Sequence, residues 1–177
     1  TTLFRSNELW ARVKNGAANN DDRAYALAID ASGTVYVTGQ SHNGSNYDYL
    51  TVAYDSSGNE LWARVKNGPS NADDRAVAVA VDASGTVYVT GQSSNGPNLD
   101  YLTVAYDSAG NELWARVKNG VENGEDLANA LAVDATGVDR VEDTDTGNRP
   151  QFFFEQFEVG FATLQVFVDS AQLRPPQ

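Results

Sequence analysis

The sequence predicts an all-β fold made of repeated four-stranded antiparallel sheets. Three observations carry this. The string NELWARVKNG begins at Asn7, Asn59 and Asn111, a period of 52 residues. Residues 7–57 and 59–109 differ at only ten of 51 positions. Each period holds four short apolar runs bounded by turns rich in Gly, Asn and Asp.

In the second unit the first expected strand is Tyr49 to Tyr54, followed by the turn DSSGN. The second is Glu60 to Lys66. Leu61, Ala63 and Val65 share one parity, while Glu60, Trp62, Arg64 and Lys66 share the other. That pattern describes a half-buried strand near an outer edge, where charge discourages stray pairing. The loop NGPSNADD leads to the third strand, Arg75 to Asp82. Its even positions are small (Ala76, Ala78, Ala80) and its odd positions bulky (Val77, Val79, Val81). Two apolar faces, one flat and one bulky, are expected of a sheet covered on both sides. The turn ASG leads to the fourth strand, Thr86 to Gly91. Four consecutive antiparallel strands in about 50 residues fit one blade of a propeller-type arrangement.

The third copy starts as faithfully. Residues 48–68 and 100–120 differ only at Ser57 against Ala109, and the match ends after Gly137. All Tyr and Trp lie before residue 138, and six of the seven Phe lie after it. The chain therefore divides into repeats over 1–137 and a tail over 138–177. The tail opens with VDRVEDTDTGNRP, which reads as a polar linker or loop. A Phe-rich stretch follows, with two strands expected to break near Ala162 and Thr163. These strands either complete the third blade or offer a sticky edge to another subunit. Phe152, Phe153, Phe154, Phe157, Phe161 and Phe167 are the expected assembly residues.

The units resemble the bacterial seven-bladed β-propeller repeat family. The resemblance rests on DYLTVAYDSSGNELWARVKNG (48–68), the pair Asp73 and Asp74, and AVDASGTVYVTGQS (80–93), and it covers residues 1–137. It implies a propeller blade in a bacterial secreted or cell-surface protein. It brings no catalytic residues, because the family is not tied to one reaction. A closed propeller usually needs at least four blades. About three incomplete repeats leave an open ring, expected to be closed or capped by self-association or by the C-terminal strands. A homo-oligomer is therefore expected.

Composition narrows the partners. There are 24 acidic and 12 basic residues, a net charge of −12. That field has the wrong sign for nucleic acid or anionic membranes. No Cys is present, which excludes disulfides and zinc fingers, and His42 is the single His. No run approaches the roughly 18 apolar residues of a spanning helix, so no membrane insertion is expected. The chain lacks Met. It is therefore expected to be processed or trimmed, with no targeting segment left to read.

Candidate chemistry is sparse. Trp10, Trp62 and Trp114 recur on the same strand parity as Arg12, Arg64 and Arg116. Packing with Arg stacked on the ring is the simpler reading. A repeated sugar-binding platform, with Tyr49 and Tyr101, is the functional one. Tyr47 would join it, but its counterpart is Leu99. Asp21, Asp22, Asp73, Asp74, Glu125 and Asp126 recur before the third strand, where turn capping and pairing with Arg23 or Arg75 are expected. Asp55, Ser57 and Asn59 start like a calcium loop, but Lys66 stands where the twelfth-position acid belongs. Asp143, Asp145 and Asn148 form a partial calcium pattern of the same kind. His42 is replaced by Ser94 in the next copy and reads as loop drift. No phosphate-cradling or dinucleotide glycine motif occurs, and no cofactor is expected.

The expected function is that of a non-catalytic extracellular structural or interaction protein. It would self-associate through blade edges, its tail capping or bridging subunits. The alternatives are a carbohydrate-binding propeller with a glycan or surface partner, and an extracellular hydrolase using paired carboxylates.

Overall fold

The computed structural model describes residues 7–120, 124–133, 139–145 and 149–154. They form an all-β protein of three antiparallel sheets, with no helix among them. The first sheet joins β1 (Asp22–Ile29), β2 (Val35–His42), β3 (Tyr47–Tyr54) and β4 (Glu60–Lys66) in that order. The second joins β5 (Asp74–Val81), β6 (Val87–Ser94), β7 (Leu99–Tyr106) and β8 (Glu112–Lys118). The third joins β9 (Asp126–Val133), β10 (Asp139–Asp145) and β11 (Arg149–Phe154).

All four expected strand types form, but the sheets are out of phase with the unit read from the sequence. A unit beginning at Tyr49 spans the outer half of one sheet and the inner half of the next. The sheet itself begins on the alanine-rich strand and ends on ELWARVK. In the first two sheets the first and third hairpins are closed by aspartates. Asp82 Oδ1 accepts from the Ser84 and Thr86 amides at 2.8 and 2.9 Å, and Asp55 does the same for Ser57 and Asn59. Gly85 and Gly58 supply the left-handed turn residues at φ 85° and 78°.

The alternation of small and bulky residues does not mark two uniform faces. Register shifts between Ala24 and Ala26, and again between Ala76 and Ala78. The extra residue, Tyr25 or Val77, is a β-bulge that reverses parity. Ala76 therefore shares a face with Val79 and Val81, opposite Ala78 and Ala80. The bulge sits against a glycine, since Ala76 pairs with Gly91 and Ala24 with Gly39.

The stretch expected as a linker is also corrected. Residues 139–145 form β10, paired with β9 on one side and β11 on the other. A polar sequence still forms a strand here, because β9 offers a row of backbone donors and acceptors that need partners.

The sheets stack face to face. β5 lies on β1, β2 and β3, and β9 lies on β5, β6 and β7. Between the first two sheets Tyr36, Tyr49, Ala53 and Trp62 meet Ala76, Val79, Val87, Val89, Leu102, Val104 and Tyr106 in one core.

Candidate assembly surface

The last strand of each four-stranded sheet carries a Trp, and that of the first sheet reaches the second. Trp62 is buried, and its Nε1 donates to the Ser108 carbonyl at 3.0 Å. Its ring lies between Tyr36 and Tyr106, with centroids 5.9 Å from each. The Arg64 guanidinium sits 5.8 Å over the ring and donates through Nε to the Gly110 carbonyl. Lys66 bonds Glu112 at 2.9 Å along the same seam. Trp114 packs at 6.1 Å from Tyr88, with Arg116 over it. Trp62 thus packs between sheets, and Trp114 packs on Tyr88 of its own sheet. Tyr49 and Tyr101 are buried, and Tyr49 donates its hydroxyl to the Leu102 carbonyl at 3.0 Å.

At the opposite end of the strands the seam is acidic. Asp74 Oδ2 accepts from the Gly68 amide at 2.6 Å, Asp22 from Gly16 at 2.7 Å, and Asp126 from Gly120. Asp73 accepts from the Tyr47 amide of the preceding sheet at 3.0 Å. The expected capping role therefore holds for Asp22, Asp73, Asp74 and Asp126. Arg75, however, donates to Gln40 at 2.8 Å and lies over the Tyr25 ring, while Arg23 approaches Asp21 at 3.9 Å. Asp48, Asp74 and Asp100 are buried, and one oxygen of each has no hydrogen-bond partner. Burial pushes all three carboxyls up, the nearby charge of Asp48 adding to the rise at Asp74 and that of Asp126 to the rise at Asp100. At the turns the balance reverses. Burial works to raise Asp30, but hydrogen bonds from Ser32, Thr34 and Tyr36 outweigh it and hold the carboxyl at about 2.

The signs give an acid-side optimum. A carboxyl raised on folding stabilises fully below its unfolded value of 3.8, and that contribution is lost as pH rises through the folded value. Asp30 acts oppositely, its contribution being lost as pH falls from 3.8 toward about 2. Urea midpoints are therefore expected to rise as pH falls from 7 toward 4.5. Asp74→Asn keeps the acceptor for Gly68 and should flatten this slope. An unchanged slope in that variant would remove Asp74 from the account.

The outward face of the first sheet is open. Leu27 and Ile29 are 63% and 59% exposed, and Ala24 is exposed beside them. Their counterparts in the second sheet are Val79, 9% exposed, Val81, half-buried, and Ala76, fully buried, all lying against the first sheet. The same face is thus a core on one sheet and a surface on the other.

A second gap lies beside it. Residues 8–14 repeat the β4 sequence and make the same contacts across the seam. Trp10 Nε1 donates to the Ser56 carbonyl at 3.2 Å, its ring is 5.8 Å from Tyr54, and Lys14 bonds Glu60 at 2.9 Å. Yet the segment has no strand partner among the described residues. Leu9 and Val13 are 90% and 97% exposed, against 54% and 58% for Leu61 and Val65 of β4.

Of the other expected residues, Phe152, Phe153 and Phe154 fall in β11, while Phe157, Phe161 and Phe167 lie outside the described residues. Asp143 and Asp145 belong to strand β10 and not to a loop, opposite Gln151 and Arg149, and Asn148 lies outside the described residues. His42 ends β2, where Nδ1 accepts from the Gly44 amide at 3.1 Å. Among the described residues no group of three or more His, Cys, Asp or Glu is gathered to hold a metal. With no helix among them, the described residues hold none long and apolar enough to cross a membrane. The open face, the partnerless segment and the buried Asp48 and Asp100 were not singled out in the sequence.

No family model matches the chain. The chain is similar to the regulatory protein FlaEY of Caulobacter vibrioides, with 33% identity over 144 residues. The aligned region is 71% of this chain but only 15% of that relative's length.

Proposed function

We propose that this protein is a non-catalytic interaction module that works by self-association, in propeller-type assembly at or outside the bacterial cell surface. The observation that carries this is the open face of the first sheet. Leu27 and Ile29 stand exposed where the equivalent residues of the second sheet line a core. A surface of that composition is stabilised by another sheet of the same kind. The repeats supply such sheets, and near-identical repeats make near-identical faces. The extracellular setting follows from the resemblance to the propeller repeats.

Light scattering at micromolar concentration is expected to give a mass of at least two chains. Leu27→Asp with Ile29→Asp places charge on residues already exposed within one chain, so the fold should survive while the mass falls to one chain. A wild-type mass of one chain would overturn the reading.

A further inference from the structure

The inference here rests on the self-association just proposed and gives it a geometry. Two complete sheets end on an ELWARVK strand, β4 or β8. The third sheet, among the described residues, has three strands and stops at β11. Residues 8–14 carry the sequence of the missing strand and pair with no sheet among the described residues. They are already held in the right place, because their Trp10 and Lys14 contacts to the first sheet copy those of Trp62 and Lys66 to the second. The space beside them is the open face that a preceding sheet would cover.

We infer that residues 8–14 of one copy add, as its fourth strand, to the edge of β11 in a second copy, an edge that pairs with no other strand among the described residues. The completed sheet then seats on the first copy's open face. One contact fills both gaps, and it is head-to-tail. It generates a ring if the rotation closes and a filament if it does not.

The register follows from the complete sheets. Arg149 stands opposite Asp145 in the third sheet as Asp48 stands opposite Ser41 in the first. Gln151 therefore occupies the place of Leu50, and Phe153 that of Val52. Leu50 pairs with Val65, and Val52 with Ala63. Shifted by one 52-residue period, these partners become Val13 and Ala11. Gln151 of one copy thus faces Val13 of the other, and Phe153 faces Ala11. Pro150 has no amide hydrogen to give, so donation from β11 falls to its other residues.

Directly opposed residues of antiparallel strands lie within disulfide reach, with Cα atoms roughly 4.5–5.5 Å apart. The chain has no Cys of its own. Val13→Cys chains mixed with Gln151→Cys chains, in oxidised glutathione, should give a two-chain disulfide product. Val13→Cys mixed with Phe153→Cys, two residues out of register, should give several-fold less. Separately, Ala11→Pro with Val13→Pro removes two amide donors from a segment that makes no ladder with the described residues of its own chain. It should reduce the mass to one chain with an unchanged circular dichroism spectrum. A multimeric wild type with no register-specific disulfide, or a multimeric proline variant, would overturn this contact and leave self-association standing. Occupation of the β11 edge by the chain's own residues beyond 154 would give that same result. A wild type of single-chain mass would overturn both.

Discussion

Gly91→Ala is expected to lower the unfolding free energy by about 3 kcal/mol or more, at the upper end of overpacking costs. The added Cβ would overlap the Arg75 carbonyl oxygen and lie 2.8 Å from the Ala76 Cα. Both atoms are backbone, held by the β5–β6 ladder at the bulge. No side-chain rotation relieves the clash, so the strands must separate. They line the core between the first two sheets, and the loss should therefore be global. Urea unfolding followed by circular dichroism would measure it. Gly96→Ala is a control, because nothing lies within 4 Å of its added Cβ, although φ of 88° leaves some backbone strain. Gly91 is not at positive φ, so a loss no larger than that of Gly96→Ala would show that the close approach is relieved cheaply.

Trp62→Ala is expected to cost about 3–5 kcal/mol, the range for removing a buried aromatic ring. The ring fills the seam between Tyr36 and Tyr106, donates to Ser108 and carries the Arg64 guanidinium. Deleting it opens a cavity and frees two neighbours at once. Trp62→Phe keeps a ring but loses the indole donor, so about 1–2 kcal/mol is expected. Trp10→Ala should cost clearly less, because Trp10 is only half-buried and belongs to no described sheet. Denaturant titrations of the three variants would order them. A loss at Trp10 equal to that at Trp62 would mean that residues 8–14 are as integral to the fold as β4.

The strands themselves were legible. Alternation in ELWARVK and the paired turns around DSSGN and DASG fix them with little help from tertiary contacts. The phase was harder. A periodic sequence reads the same from any starting strand, so nothing in Tyr49–Gly91 declares where a sheet begins. One clue existed: the connection 67–73 is longer than the turn 82–86 or 107–111, and it is the one that crosses between sheets. The bulge was not legible. It depends on Ala76 meeting Gly91, a cross-strand pairing that no local window contains. Strand β10 was hidden for a different reason, since DRVEDTD carries no apolar alternation and takes its form from the ladder beside it. At the site, the Trp spacing was readable, whereas the exposure of Leu27 and Ile29 is a property of which neighbours are present.

The offset between sequence unit and sheet has a genetic consequence. Recombination between two NELWARVKNG strings adds or removes 52 residues. Each exchange delivers the outer strand of one sheet and the first three strands of the next. The split sheets rejoin across the breakpoint, because every copy offers the same ladder to its neighbour. Copy number can then change by whole units without leaving a sheet incomplete at the breakpoint.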